Sequence, residues 1–397
     1  MTLSGAETLL VRYGEIGVKS ASVQAGMEQQ LTENIRATLS NRGIHAQVNR
    51  EHTRLYVREI DDMKAVTDAV TDVFGVVSVS PAITTRPTLD AMCETLTDAA
   101  TAHPVESFAV RATRAGQSDA HPFTSLDIER DGGSAVARAL EAAGFEPTVD
   151  LENPTQTYYV ECRAEQAFVF LKKHDGPGGL PVGTQKPLVA LVSGGIDSPV
   201  AAWLAMKRGC PVYPLYVDLG EFGGPDHRAR AISTASELAR FAGDHGHPVL
   251  VADGGEALSR IMAETEDCRM PVIRRFLYRV AEHVSENVGA VGIVTGEAIG
   301  QKSSQTSASL RATSAVTDLP VHRPLLSMDK PEITQLARNI GTYEDATINA
   351  GCYRLAPKNP VTAPTVEAVE RAEPAGIVEL AAKTADSVEP VGEGTNA

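Results

Sequence analysis

The sequence predicts an α/β protein, with two small mixed units followed by a larger doubly wound parallel sheet. Three observations carry that prediction. From Pro187 onward, short continuous apolar runs alternate with helical periodicity, as expected of strands buried on both faces and joined by helical crossovers. Residues 175–183 hold four glycines and two prolines in nine positions, the clearest turn or linker cluster in the chain. The length of 397 residues, 43% hydrophobic and 22% charged, suits several soluble domains and excludes collagen, coiled coil or wholesale disorder.

Residues 1–80 read as the first unit. A strand is predicted at 7–13 and a helix at 23–41, stopped by Arg42-Gly43. A second strand follows at 54–58, around Leu55-Tyr56-Val57, and a second helix at 63–74, ending at Gly75. The second unit is placed at 81–178, beginning after Pro81. It carries helices at 89–102 and 127–143, with Gly144 as the stop, and strands at 107–111, 158–160 and 167–171.

The third unit is expected at 179–370. Its strands are 188–192, 212–217, 249–252 and 291–295; its helices are 200–208, 229–245, 273–287 and 332–339. After about Glu370 the composition turns to Ala, Glu, Pro, Gly and Thr, which predicts a flexible acidic tail over 371–397.

Charge and cysteine content narrow the class. Fifty-one acids against thirty-six bases give −15, and only ten of the bases are lysine, a balance that resembles proteins of salt-loving archaea. It argues against a non-specific nucleic-acid binder but leaves room for local basic patches. The five cysteines, Cys93, Cys162, Cys210, Cys268 and Cys352, form no Cys-x-x-Cys pair, which removes zinc ribbons, thioredoxin-type motifs and local iron–sulfur runs. No apolar run approaches the roughly 20 residues of a membrane span, and the N-terminus lacks a secretory pattern, so the expectation is a soluble cytoplasmic protein.

One motif carries chemistry. The apolar strand Leu188-Val189-Ala190-Leu191-Val192 runs directly into Ser193-Gly194-Gly195-Ile196-Asp197-Ser198 and then a helix. Two glycines allow positive φ and bring no Cβ toward a ligand. Successive main-chain N–H groups can then converge at a helix N-terminus, where the dipole favours an anion. Ser193 and Ser198 add hydroxyls, and Asp197 can hold Mg²⁺ or orient phosphates. The Gly-x-x-x-x-Gly-Lys pattern of a Walker loop is missing.

The hexapeptide resembles the PP-loop of ATP pyrophosphatases, and flanking segments narrow the resemblance to the tRNA 4-thiouridine synthetases (tRNA sulfurtransferases). Leu10-Val-Arg-Tyr-Gly-Glu-Ile-Gly-Val-Lys-Ser20 is similar to their N-terminal signature. Phe108–Gly116, Asp150-Leu-Glu-Asn-Pro154, Tyr159–Arg163 and the 176–183 segment resemble their THUMP domain and its exit. Thr295-Gly-Glu-Ala-Ile-Gly-Gln-Lys-Ser-Ser-Gln-Thr306, Arg323-Pro-Leu325 and Asp329-Lys330 resemble the remainder of the catalytic domain.

The resemblance implies a ferredoxin-like domain and a THUMP domain that hold tRNA, ahead of a PP-loop domain of the adenine nucleotide alpha hydrolase type. It implies ATP with Mg²⁺, no iron–sulfur cluster, a possible homodimer and an external sulfur donor: a cysteine desulfurase, another persulfide carrier or sulfide. The implied reaction adenylates uridine 8 of tRNA on O4 and replaces AMP with persulfide-derived sulfur. Asp197 matches the loop aspartate, Lys330 a lysine that stabilises charge on the α phosphate, and Cys352 the sulfur-carrying cysteine. Cys268 is its candidate partner thiol.

ATP-binding candidates are Leu191, Val192, Ser193, Gly194, Gly195, Ile196, Ser198, Tyr216, Val217, Gly296 and Gln305. Those for tRNA are Arg12, Lys19, Arg111, Arg114, Lys172 and Lys173, with Arg54, Arg58 and His174 nearby. Two other readings stand beside this one: sulfur transfer toward the thiamine thiazole or an amidating ligase, and an RNA-binding protein whose PP-loop domain is inactive.

Overall fold

The computed structural model describes residues 3–51, 54–115, 120–223, 225–346 and 355–392. The chain divides into two compact units, Met1–Gly179 and Leu180–Ala397.

In the first unit, β1 (Thr8–Tyr13) leads through a 3₁₀ turn (Glu15–Val18) to α1 (Ala21–Asn41). The antiparallel pair β2 (Gln47–Glu51) and β3 (Arg54–Arg58) follows, then α2 (Met63–Val70) and β4 (Val76–Thr85). The chain continues through α3 (Leu89–Ala102), β5 (Ser107–Arg114), α4 (Ser125–Ala142), β6 (Thr148–Val149), β7 (Gln156–Cys162), β8 (Ala167–Phe170) and β9 (His174–Asp175). All nine strands join one sheet, ordered β2-β3-β1-β4-β8-β7-β5-β6 with β9 on β4.

Helix α4 begins where a capping box forms between Thr124 and Asp127, and Asp62 caps α2 through the amides of Lys64 and Ala65. The boundary expected at 80/81 falls inside β4. That strand pairs with β1 through residues 76–82 and with β8 through 83–85, and Pro81 faces Leu9 within the ladder. A proline costs the ladder one donor, but its fixed φ is compatible with extended backbone, so it does not end the strand.

The second unit contains β10 (Leu188–Leu191), α5 (Asp197–Lys207), β11 (Val212–Asp218), α6 (Pro225–Ser236), β12 (Val249–Asp253), α7 (Gly255–Glu264) and α8 (Arg269–Val288). Then come β13 (Ile293–Val294), α9 (Ser307–Ser314), β14 (Val321–His322), α10 (Lys330–Asn339), α11 (Tyr343–Ala346), α12 (Val366–Ala372), α13 (Ile377–Asp386) and β15 (Glu389–Val391). The sheet order is β14-β13-β10-β11-β12-β15, parallel except for β15. Strand order reverses at β10, with β11 on one side and β13 on the other. In an open parallel sheet that switch point opens a crevice at the strands' carboxyl ends.

Both sheet faces are covered. Val189 and Leu215 pack with Leu258, Phe276 and Leu380 on one side, and Val192 and Tyr216 with Ala231 and Ala235 on the other. The predicted flexible tail is a correction. Ile377, Leu380, Ala381, Thr384 and Ala385 are buried at helical spacing, α13 joins the same apolar cluster as α8, and β15 adds an antiparallel edge strand to β12. Composition hid a periodic apolar stripe that the core needs. Glu373, just before it, is clamped by Arg275 at 2.6 Å and Arg279 at 2.8 Å. No described helix is long and apolar enough to cross a membrane.

Candidate active site

The loop at residues 193–198 lies at the switch point. Just past β10, Val192 donates its N–H to the Leu215 carbonyl at 2.9 Å, and the chain then turns into α5. The Ser193 amide donates to Ser198 Oγ at 3.0 Å, which closes the loop across its own mouth. Gly194 has φ +63°, and a Cβ there would meet the Ala231 amide nitrogen at 3.0 Å, so neither conformation nor space admits another residue. Gly195 differs: a Cβ there would find only Ser193 Oγ, at 3.6 Å. Its lack of a side chain therefore answers to something other than internal packing. The first-turn amides of α5 have no carbonyl one turn earlier to bond, and the dipole concentrates positive potential where they point.

Two more segments close on the loop. Gly296 follows Thr295 beyond the carboxyl end of β13, and a Cβ there would sit 2.7 Å from the Ser198 nitrogen and 2.8 Å from the Asp197 carbonyl carbon. Backbone thus lies against backbone, with no room for a methyl group. From the opposite direction, Lys330 Nζ lies 2.6 Å from Asp197 Oδ1. Lysine is unfavourable at a helix N-terminus, where its charge opposes the dipole; here it opens α10 and faces a carboxylate, while Asp329 and Glu332 form the capping box. The loop aspartate and the distant lysine therefore share one site.

The segment 295–306 is held by Glu297. This buried carboxylate receives Tyr278 Oη at 2.5 Å, Thr295 Oγ1 at 3.1 Å and Arg323 Nε at 2.8 Å on Oε2, and pairs with Arg274 Nε at 3.1 Å on Oε1. The Arg274 contact is an ion pair without hydrogen-bond alignment, which leaves Oε1 unbonded. Arg274 also donates to the Ser304 carbonyl. Burial, reinforced by the Glu297 charge, pushes the Tyr278 hydroxyl well above its ordinary pKa, so it stays a donor. Gln305, within this segment, is buried with Oε1 unpartnered.

Leu191, Val192, Ser193, Gly194, Gly195, Ile196 and Ser198 stand together at the switch point, with Gly296 against them. Tyr216 and Val217 lie near the carboxyl end of β11, but their side chains are core. The Tyr216 ring packs on Val192 and its hydroxyl meets His227 Nδ1 at 2.8 Å. Any contact they make with a base is therefore one of main-chain atoms.

Cys352 lies outside the described residues. Cys268 caps α8 and packs against the core; burial, with Asp267 beside it, raises its thiol above the ordinary value, the opposite of an activated nucleophile. Cys93, Cys162 and Cys210 are likewise raised by burial.

The basic residues of the first unit separate into two sets. Lys19, Lys172, Lys173 and Arg111 are exposed, with Arg111 donating to the Leu151 carbonyl at 2.6 Å and Lys173 lying over the Tyr159 ring. Arg12, expected to face RNA, is instead committed to the sheet: it pairs with Glu161 at 3.1 Å, donates to Ser80 Oγ at 2.9 Å and stacks over Phe170. Arg54 and Arg163 meet the same carboxylate at 3.1 and 2.8 Å. Arg58 pairs with Glu51, and Arg114 donates to the Phe123 carbonyl at 2.5 Å over that ring. The Arg12 and Arg54 pairs with Glu161 form because β1, β3 and β7 face charges toward one another across the sheet, a pairing that local spacing does not reveal. The same applies to the Glu297 hub, whose partners come from positions 274, 278 and 323.

Comparison with known proteins finds the three domains in the expected order. The profile "ThiI ferredoxin-like domain" matches residues 8–80, "THUMP domain" 84–172, and "Thiamine biosynthesis protein (ThiI)" 183–376. A probable tRNA sulfurtransferase of Halobacterium salinarum is 52% identical, covering 98% of each chain. One from Methanosarcina acetivorans is 39% identical over 89% of this chain and 85% of its own. The tRNA sulfurtransferase of Pyrobaculum aerophilum is 37% identical over 85% of this chain and 67% of its own. Among solved structures, a 4-thiouridine synthetase–RNA complex with bound ATP superposes with TM-score 0.82 at 29% identity, covering 97% of this chain and 98% of that one.

Proposed function

The chain belongs to the ThiI family of tRNA sulfurtransferases, and on that premise we propose how its second unit carries out ATP-dependent tRNA thiolation. The observation that carries the reading is the Asp197–Lys330 pair closing on a glycine loop at the switch point of a parallel sheet. The loop amides and the α5 dipole grip the phosphates of ATP. Lys330 is released from Asp197 to the α phosphate as negative charge builds there. Uridine O4, at position 8 of the tRNA, attacks that phosphorus and diphosphate departs. The phosphoester so formed is a far better leaving group than a carbonyl oxygen.

Sulfur then replaces it. The terminal sulfur of a persulfide on Cys352 attacks C4, and AMP leaves carrying O4. A second thiol cleaves the remaining S–S bond, and an external reductant restores the resulting disulfide. An external donor reloads the persulfide. Among the described residues no group of three or more His, Cys, Asp or Glu converges on a metal site. The loop itself offers one carboxylate, Asp197, which suits Mg²⁺ carried on the substrate phosphates with a single protein ligand. In the first unit, exposed Lys19, Arg111, Lys172 and Lys173 supply phosphate contacts for tRNA.

The test is 4-thiouridine content and pyrophosphate release with wild type, Asp197→Ala and Cys352→Ser. Asp197→Ala is expected to lose both. Cys352→Ser should thiolate with sulfide but not with a persulfide donor. Unchanged thiolation in Asp197→Ala would refute the assignment.

A further inference from the structure

Among the described residues, Arg230 stands apart from the other arginine that is more than nine-tenths buried. Arg275, 2% exposed, is satisfied by Glu370, Glu373 and the Ala312 carbonyl. Arg230, 7% exposed, forms no side-chain hydrogen bond or ion pair with any described residue, and its Nε is buried without a partner. A cation taken out of water without a counter-ion is costly, and folded proteins keep such a group where a ligand supplies the missing charge.

Its position names the ligand. Arg230 lies in α6, whose backbone abuts the phosphate loop: a Cβ on Gly194 would reach the Ala231 nitrogen at 3.0 Å and Arg230 Cβ at 3.4 Å. Other charges near it do not neutralise it. Asp218 is engaged by Arg228 at 3.7 Å and by the Gly220 amide at 2.9 Å, while His227 feels the Arg230 charge as one of the causes, after burial, that lower its pKa.

We propose that Arg230 binds the β and γ phosphates of ATP, on the side of the loop away from the reacting α phosphate, and holds the departing diphosphate. This rests on the reading of residues 193–198 as the nucleotide site. A planar fork of donors suits two phosphate oxygens, and the site provides the anion that the fold withholds. Lys330 and Arg230 then divide the work. The first attends the phosphorus under attack, and the second the group that leaves.

The probe is inorganic pyrophosphate, titrated into the full-length protein by calorimetry and by competition against ATP, with AMP titrated in parallel. Arg230→Met is expected to weaken pyrophosphate at least tenfold, change AMP less than twofold, and melt without ligand at or above the wild-type temperature, since a buried unpaired charge is gone. Pyrophosphate affinity equal to wild type overturns the proposal, as does an equal loss for both ligands together with a lower melting temperature, which marks a structural role. Should Arg230→Met not fold, Arg230→Lys decides: selective loss for pyrophosphate supports the proposal, and equal loss or none overturns it. If wild type binds ATP and pyrophosphate but the variants bind them equally well, the Arg230 assignment alone falls. If wild type binds neither, the loop reading falls with it.

Discussion

Lys330 Nζ stands 2.6 Å from Asp197 Oδ1, although 133 residues separate the two positions. The lysine is half exposed, so the pair is worth only about 0–1 kcal/mol to the fold. The proposed mechanism places its value in catalysis. Asp197→Asn and Lys330→Met are each expected to shift the denaturation midpoint little while lowering thiolation on the order of 100-fold or more. Chemical denaturation beside a turnover assay separates the two effects; loss of stability in proportion to activity would mark the pair as structural.

The glycines of the site make different predictions for stability. Gly195→Ala meets nothing closer than 3.6 Å and should fold like wild type, yet lose ATP affinity because the methyl group occupies the approach to the loop amides. Gly296→Ala drives a Cβ to 2.7 Å from the Ser198 nitrogen and should lose stability and ATP affinity together. Thermal melts with and without ATP distinguish the two patterns.

Glu297 is the buried counter-ion of Arg274 and Arg323. Glu297→Gln strands two cations in a poorly solvated site and should cost about 3–5 kcal/mol. Tyr278→Phe removes one hydrogen bond to the same carboxylate and should cost about 1.5–3 kcal/mol. Urea unfolding of the two variants reads this ordering, and a Glu297→Gln cost below that of Tyr278→Phe would refute the hub.

Acid should loosen the first unit through Glu161. Burial alone would raise its pKa, but Arg54, Arg12 and Arg163 together outweigh burial and hold it below the usual carboxylate range. A depressed folded pKa gives stability that is present above the unfolded value, about 4.3, and lost as pH falls through the folded one. Hydrogen exchange of the β1 and β7 amides in the full chain, corrected for intrinsic rates, should show wild type and Glu161→Gln differing at neutral pH and converging in acid. A gap independent of pH would contradict this.

Much of the site was legible because its signals are local. A buried strand, two glycines and a helix start occupy consecutive positions 188–198, and a lysine at a helix N-terminus announces a nearby anion by defying the dipole. What escaped depends on partners far apart in sequence. Local spacing shows neither the Glu161 that Arg12 meets from β7 nor the Arg274, Tyr278 and Arg323 that surround Glu297. Helix α13 was lost to composition, since its apolar positions are mostly alanine and threonine around Ile377 and Leu380. No strand is read at 76–85, where β4 runs through Pro81, because a proline reads as punctuation even where the strand tolerates it.

The most direct test of the account follows one oxygen. Transfer RNA labelled with ¹⁸O at O4 of uridine 8 is thiolated with ATP and a sulfur donor, and the AMP released is analysed by mass spectrometry. Adenylation at the residue 193–198 loop predicts that the label appears in AMP, one atom for each 4-thiouridine formed. Unlabelled AMP alongside the thiolated product would contradict it, as would ADP and inorganic phosphate in place of AMP and pyrophosphate.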